Sequence, residues 1–300
     1  MGINNKYIHR INYIIYFLFH YLCDNKFRKL RQIKIASPIE TINYIINNKV
    51  SVSRFGDGEI GLMSGNNSDF QCFNPSVSNK LKEVLNSKID GHIVCLPYPW
   101  TNFWSLKYQA FEYWSSYLNN NLESKIIPHV DFDRKYFDAS FTRFYIDYKS
   151  DRNARKLIPL IKKIWEKRNV CIIEGEYTRL GVGNDLLDNA NDISRIIAPS
   201  INAFNKYDEI LNAVRKYASK SDLVLIALGM TATCLAYDLA KEGYQAIDIG
   251  HVDIEYEWFR MKAKSRVPIA NKYVAESKER LLESGEIDNS YIKQVKVQIL

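Results

Sequence analysis

The chain has 300 residues, of which 46% are hydrophobic and 25% are charged, a composition that fits a folded protein with a large core and excludes a disordered chain. Its five cysteines show no CxxC spacing, so neither a zinc knuckle nor a disulfide framework is indicated, and a reducing, cytoplasmic setting is favoured. The net charge of +7 is concentrated in residues 1–34, where seven lysines and arginines face one acid, Asp24. Because the remaining chain is nearly neutral, it is a poor electrostatic match for nucleic acid.

Residues 1–34 also contain an apolar, aromatic run from Ile11 to Leu22. This run is shorter than the roughly 20 apolar residues of a membrane-spanning helix, and no small-residue cleavage site of a signal peptide follows it. Aromatic residues beside Lys and Arg are typical of a helix that lies on an anionic membrane surface, here the inner face of the cytoplasmic membrane. A helix that packs on the core or on a partner subunit explains the pattern equally well. We therefore divide the chain into this N-terminal segment and a single domain over residues 35–300.

Strand and helix patterns alternate along the predicted domain. Ser37 and Glu40 have capping-box spacing around Pro38, which predicts a helix that runs to about Asn48. Short apolar runs predict buried strands at 50–55, 93–96, 170–173, 195–198, 223–228 and 246–249. Helical stretches are predicted between them at 76–88, 103–119, 152–167, 206–219 and 231–242. This alternation predicts an α/β fold with a Rossmann-like, mostly parallel sheet and helices on both faces.

Three polar segments follow predicted strands, which is where open α/β sheets bind ligands. In the first segment, Gly56 and Gly58 bracket Asp57 and precede Glu59. Residues two apart in an extended segment project to the same side, so the two carboxylates predict a site for Mn²⁺ or Mg²⁺. Arg54 is placed to reach a phosphate. The alternative interpretation is a simple polar turn.

The second segment, residues 175–190, directly follows the strand at 170–173. A glycine-rich turn that opens a helix leaves free N–H groups for an anion, and a neighbouring arginine adds positive charge. The glycine spacing does not match GxGxxG, so a nicotinamide cofactor is not supported. The candidate nucleotide-binding residues of this segment are Arg179, Gly181, Gly183, Asn184 and Asp185.

The third segment has two parts. Gly229 and Thr231 lie between a strand and a helix and predict a second phosphate cradle, although the lysine of a P-loop is absent. After the next strand, Asp253 and Glu255 follow His251 closely, and such a group can supply a general base or a metal ligand. A lone histidine after a glycine is more often structural, so His251 receives no catalytic role.

Taken together, these segments resemble the bacterial surface-glycan glycosyltransferases of the GT-D fold, a family formerly called domain of unknown function 1792. The resemblance covers roughly residues 35–275 and is carried by RFGDGE at 54–59, GEYTRLGVGNDLLDNA at 175–190, TATCLAYDLAKEGYQAIDIGHVDIEYEW at 231–258 and NKYV at 271–274. Two departures are Met230, where the family pattern has proline, and the stretch Leu96-Pro97-Tyr98-Pro99, which lacks an expected aspartate. The resemblance implies a Rossmann-like sheet, a UDP-sugar donor and a divalent cation held through a DxE motif.

The implied function is transfer of a hexose from a UDP-sugar to a glycan or lipid-linked saccharide acceptor in surface polysaccharide or glycoprotein synthesis. Two DxE triplets are present, and we assign the metal and diphosphate to Asp57 and Glu59 because the flanking glycines leave room for a ligand. The base that activates the acceptor is assigned to Glu255, with Asp253 second. Because the sequence offers one such base and no obvious nucleophile, we expect inversion at the anomeric carbon. The alternatives are a metal-dependent nucleotide-diphosphate hydrolase and a non-catalytic partner in a polysaccharide assembly complex.

Overall fold

A computed structural model of the protein describes residues 2–277, 279–281 and 289–300. Nine strands form its central sheet: β1 Lys34–Ile35, β2 Ser51–Arg54, β3 His92–Leu96, β4 Lys135–Asp138, β5 Asn169–Gly175, β6 Asp192–Ala198, β7 Leu223–Ala227, β8 Gln245–Asp248 and β9 Val295–Gln298. Their order across the sheet is β1-β4-β3-β2-β8-β7-β5-β6-β9. All neighbouring strands in this order are parallel, which confirms the predicted sheet.

Eleven α-helices occur in the described ranges: α1 Gly2–Cys23, α2 Asn25–Leu30, α3 Pro38–Asn48, α4 Asp57–Met63, α5 Pro75–Leu85, α6 Tyr108–Asn121, α7 Arg152–Lys162, α8 Tyr207–Tyr217, α9 Met230–Lys241, α10 Val252–Arg260 and α11 Asn289–Gln294. Helices α3–α11 lie between successive strands, except that β5 is joined to β6 without an α-helix, whereas α1 and α2 precede β1. The start of α3 follows the predicted capping pattern, because the Ser37 hydroxyl accepts the Glu40 N–H at 3.3 Å.

Apolar side chains alternate between the two faces of the sheet. On one face, Ile172 and Leu225 belong to a cluster with apolar residues of α3, α7 and α10. On the other face, Val224 packs with α8 and α9, and Val94 packs with α1, α2 and α4–α6. Because both faces are covered, the strands are apolar on both sides, which is the pattern that the sequence showed.

The predicted strands and helices are confirmed, with ends displaced by up to about five residues. Three strands were missed. β1 has two residues, and β4 has an apolar pair between a lysine and an aspartate. β9 alternates apolar and polar residues at the sheet edge, so none of the three shows the continuous apolar run of a central strand.

The N-terminal helix α1 packs on the body of the protein through one face. Phe17 is buried there against the rings of Phe27, Phe103 and Phe111, at centroid distances of 5.4–5.5 Å. The predicted packing on the core is therefore confirmed for this face. The domain boundary placed at residue 34 stays a prediction. Among the helices of the described residues, none is long and apolar enough to cross a membrane.

Candidate active site

A cavity of about 400 Å³ opens over the carboxyl ends of five adjacent strands, β4, β3, β2, β8 and β7. Its walls include residues that directly follow these strands, such as Phe55, Pro97, Ala139, Gly229 and Gly250. The β2–β8 boundary lies at its centre, where the strands of the first half of the chain meet those of the second half. Ligands of open α/β sheets bind in such a crevice, and the volume is within the usual range of ligand pockets.

The first DxE triplet lies in this cavity, on the first turn of α4. The prediction of an extended segment is wrong, because Glu59 folds back and its carboxylate accepts the Gly56 N–H at 2.7 Å, which caps the helix. Asp57 and Glu59 nevertheless both line the cavity, and Asp57 is exposed to it. Burial, followed by the negative charges of Asp248 and Asp57, raises the pKa of Glu59 to about 7.

Two aromatic residues of α6 lie beside this triplet. The Tyr113 hydroxyl donates a hydrogen bond to the Asp57 carboxylate, and Trp114 lines the wall beside it. The contact joins residues 56 positions apart in sequence. The sequence shows only that the region from 98 to 148 is rich in aromatic residues; its helical period alone does not indicate which ring reaches the carboxylate.

Arg54 also lines the cavity, but its guanidinium is largely committed to the protein. It donates to the Asp248 carboxylate at 2.7 Å and carbonyl at 2.9 Å, and to Thr142 Oγ1 at 2.8 Å and the Ala139 carbonyl at 3.1 Å. Arginine has five N–H donors, and these four hydrogen bonds occupy four of them. Arg54 therefore joins the ends of β2, β4 and β8, and at most one donor is left for the phosphate contact that was predicted.

Gly250 makes this position of Arg54 possible. A Cβ atom at residue 250 would overlap the Arg54 guanidinium, and the backbone there has φ +48°, which favours glycine. The glycine after β8 thus serves the close approach of a side chain.

The second DxE triplet lies on α10, and neither of its carboxylates lines the cavity. Glu255 is fully buried and accepts the N–H groups of Tyr145 at 2.8 Å and Ile146 at 3.0 Å. Burial raises the pKa of Glu255 to about 7, although the Arg143 guanidinium lowers it. Asp253 is 3% exposed and pairs with Lys272 Nζ at 2.6 Å. These contacts hold the segments after β4 and near residue 272 in place.

The glycine-rich segment after β5 does not open a helix as predicted. Arg179, Gly181 and Gly183 all have positive φ, which breaks helical hydrogen bonding, and turns follow up to β6. The Asn184 side chain donates to Asp253 and Glu257, both at 2.7 Å, and Asp185 accepts from Tyr256 at 2.6 Å. Arg179 donates to the Asn271 carbonyl at 2.8 Å. Of this segment, Thr178 is the residue on the cavity wall, so the five predicted binding residues lie outside it.

The phosphate cradle predicted after β7 is partly reproduced. Gly229 and Met230 line the cavity at the N-terminus of α9, whereas Thr231 is 1% exposed and does not reach it. The first backbone N–H groups of a helix favour an anion, so this end of α9 suits a diphosphate.

Sequence reasoning also missed a charged cluster on the opposite wall. Glu276 pairs with Arg143 and, at 2.6 Å, with Arg266 Nε, while His251 Nε2 lies 3.7 Å from its carboxylate. Burial raises the pKa of Glu276, but Arg143 more than offsets this effect, and the resulting pKa is about 2. Glu276 lies 133 residues from Arg143, and no local sequence pattern predicts that contact.

The two carboxylates that the sequence assigns to a divalent cation both line this cavity. Among the described residues, no group of three His, Cys, Asp or Glu side chains is arranged to hold a metal ion. Asp57 and Glu59 present two carboxylates on the first turn of α4, and each already accepts one hydrogen bond, from Tyr113 and from the Gly56 N–H respectively. Mg²⁺ is commonly held by one or two carboxylates together with water and substrate phosphates, so this donor set is adequate only with a phosphate ligand in place.

An all-parallel sheet with a ligand cavity over its carboxyl edge defines a Rossmann-like α/β protein. The family model for the glycosyltransferase GT-D fold matches residues 52–277, and the chain belongs to this family of enzymes. The predicted family, fold and enzyme class are thereby confirmed.

Curated relatives include the glycosyltransferase GlyD of Streptococcus pneumoniae serotype 4, 34% identical over 270 residues that make up 89% of this chain and 33% of that protein. The probable glycosyl transferase Gly of Streptococcus gordonii is 36% identical over 249 residues, which make up 82% and 36% of the two chains. This chain thus spans about a third of the length of the curated relatives that it matches.

Solved structures of the same fold agree closely. One, described as domain of unknown function 1792 with a distinct glycosyltransferase fold, has a TM-score of 0.86 and 36% identity over 91% of this chain and 99% of its own. A glycosyltransferase of this kind from Streptococcus sanguinis has a TM-score of 0.84 and 36% identity, and covers 89% and 100% of the two chains.

Proposed function

We propose that this glycosyltransferase transfers a hexose from a UDP-sugar to a glycan acceptor during synthesis of a surface polysaccharide or glycoprotein. The observation that supports this proposal most strongly is the cavity over β2, β8 and β7, which combines the Asp57–Glu59 turn with the N-terminus of α9 at Gly229. A carboxylate pair for a hard cation beside a helix N-terminus is suited to a diphosphate.

We propose that Asp57 and Glu59 hold Mn²⁺ or Mg²⁺, with water and diphosphate oxygens as the other ligands. When bound, the cation would neutralise charge on the leaving diphosphate. The N-terminus of α9 lies on the same cavity and would stabilise that charge further. Arg54 supports this arrangement by fixing the end of β2, where the triplet begins, against Asp248 on β8.

We expect direct displacement at the anomeric carbon with inversion, and this needs one carboxylate near the acceptor hydroxyl. Glu255 and Asp253, which the sequence suggested for this base, are both buried in contacts with other segments. Of the carboxylates on the cavity wall, Asp57 and Asp69 are exposed. With Asp57 assigned to the cation, we propose Asp69 as the base; its surface ion pair with Arg280 is of a kind that contributes little stability and is readily exchanged.

We place the reaction in the cytoplasm, at the inner face of the cytoplasmic membrane, with a lipid-linked saccharide as acceptor. All five cysteines are free, which supports a reducing compartment.

Calorimetric titration of UDP into the purified protein, with Mn²⁺ and then with EDTA, tests the donor and cation together. We expect binding that depends on metal and is lost in EDTA. Turnover of UDP-sugars with and without added glycan then separates a transferase from a hydrolase, because a hydrolase needs no glycan. Absence of UDP binding in both conditions would contradict the proposal and favour a non-catalytic role.

A further inference from the structure

Helix α1 has a second apolar face that points away from the protein. Its exposed side chains are separated by three or four residues and therefore form one stripe along the helix. We call this set the outer stripe: Ile8, Ile11, Ile15, Phe19 and Leu22, which are 51%, 56%, 60%, 63% and 67% exposed. The inner face of α1, with Phe17 at its centre, is the one that packs on the core.

Exposed large apolar side chains are concentrated on α1. Among the described residues, 16 large apolar side chains are exposed, and seven of them lie on α1. Contiguous exposed apolar patches mark interaction sites. The outer stripe therefore needs a partner surface.

The charge beside the stripe indicates what that partner is. Arg28, Lys29, Arg31 and Lys34 are all exposed, and Arg31 donates to the Leu22 carbonyl at 3.3 Å, which holds the basic segment against the end of the stripe. A second copy of the chain would bring two basic segments together without acidic partners, because Asp24 is the one acid in residues 1–34. An anionic lipid surface is complementary to both the apolar stripe and the positive charge.

We propose that α1 lies in the interface of an anionic membrane, with the outer stripe among the acyl chains and the basic segment on the headgroups. The same helix is coupled to the active site through α6. Its Tyr13 hydroxyl lies 2.9 Å from Ser115 Oγ, and Phe17 packs on Phe111, whereas Tyr113 of α6 binds Asp57. Docking of α1 thus holds the cavity near the membrane surface, where a lipid-linked acceptor is presented; this last step rests on the proposed function.

Flotation with lipid vesicles tests the docking. We expect the full chain to bind phosphatidylcholine vesicles that contain 30% phosphatidylglycerol, to bind pure phosphatidylcholine more weakly, and to lose binding as salt rises. The double variant Ile15→Glu/Phe19→Glu should bind roughly a hundredfold more weakly, since each of the two buried apolar side chains contributes about one tenfold step. The control Ile201→Glu/Met261→Glu changes two equally exposed apolar residues elsewhere and should bind like the wild type.

A second pair of variants tests the charge. Arg28→Glu/Lys29→Glu should weaken binding to anionic vesicles by roughly tenfold or more, because each basic residue near the surface contributes about 1 kcal/mol. The control Lys163→Glu/Lys216→Glu makes the same change of charge at exposed positions outside the basic segment, and we expect a smaller loss.

The proposal is overturned if the wild type does not bind anionic vesicles, or if the stripe variant binds them as the wild type does. A second outcome also overturns it: the wild type is a dimer by light scattering and does not bind vesicles, and Ile15→Glu/Phe19→Glu is a monomer. In that case a second copy of the chain covers the outer stripe. Circular dichroism checks that the variants fold. UDP titration of the same proteins distinguishes failure of the docking proposal from failure of the proposed function. A protein that binds vesicles but not UDP contradicts only the function, and one that binds UDP but not vesicles contradicts only the docking.

Discussion

The two DxE triplets have the same residue pattern but opposite surroundings. Asp57 and Glu59 occupy the first turn of a seven-residue helix whose start faces the cavity, so one carboxylate is exposed to a ligand. Asp253 and Glu255 occupy a helix that is buried against the sheet, and their oxygens accept hydrogen bonds from other segments. The spacing of two carboxylates therefore does not define a metal site; the location of the helix decides whether they meet a ligand or the protein.

An Asp57→Ala enzyme that stays active would contradict the functional difference between the two triplets most directly. We expect turnover to fall by about 10²–10³-fold, because the charge of the leaving diphosphate is no longer compensated. Since Asp57 is exposed, the free energy of unfolding should change by less than about 1 kcal/mol. Asp133→Ala removes an exposed aspartate outside the cavity and serves as the matched control in the same transfer assay.

Glu255→Ala should show the opposite behaviour, with a large effect on stability. It leaves two buried N–H groups, those of Tyr145 and Ile146, without an acceptor, and we expect a loss of about 3 kcal/mol in urea unfolding. Glu255→Gln keeps an acceptor oxygen at the same position and should lose much less. If Glu255→Gln were stable but inactive, the triplet would have a catalytic role after all, and the contrast between the two sites would not hold.

Glu276 on the cavity wall should give a smaller, pH-dependent effect on stability. The pKa of Glu276, about 2, lies below its ordinary value of 4.5, so its pairing with Arg143 stabilises the folded state above pH 4.5 and is lost as the pH falls toward 2. The wild type should therefore lose up to about 2 kcal/mol more than Glu276→Gln between pH 7 and pH 3. Unfolding in urea at both pH values measures this difference. Glu166→Gln, at an exposed position, should reproduce the wild-type pH dependence.

The sequence by itself determined the class of fold, and it singled out several residues that line the candidate site. Apolar runs of strand length alternate with helical periods, and since this periodicity is a local property, it identified the central strands and most helices correctly. The glycine-bracketed Asp57 triplet and the position after β7 were also recognisable, because ligand sites of parallel sheets follow the carboxyl ends of strands.

Only the tertiary structure decided which side chains meet at the cavity. Arg54 contacts Asp248 across 194 residues, Tyr113 reaches Asp57 from a separate helix, and Arg143 meets Glu276. It also decided that the second triplet is buried and that α1 has one covered and one exposed apolar face. The period of a helix or strand specifies which residues share one of its faces. Which other element packs on that face depends on the packing of the whole chain, so a local pattern does not show it.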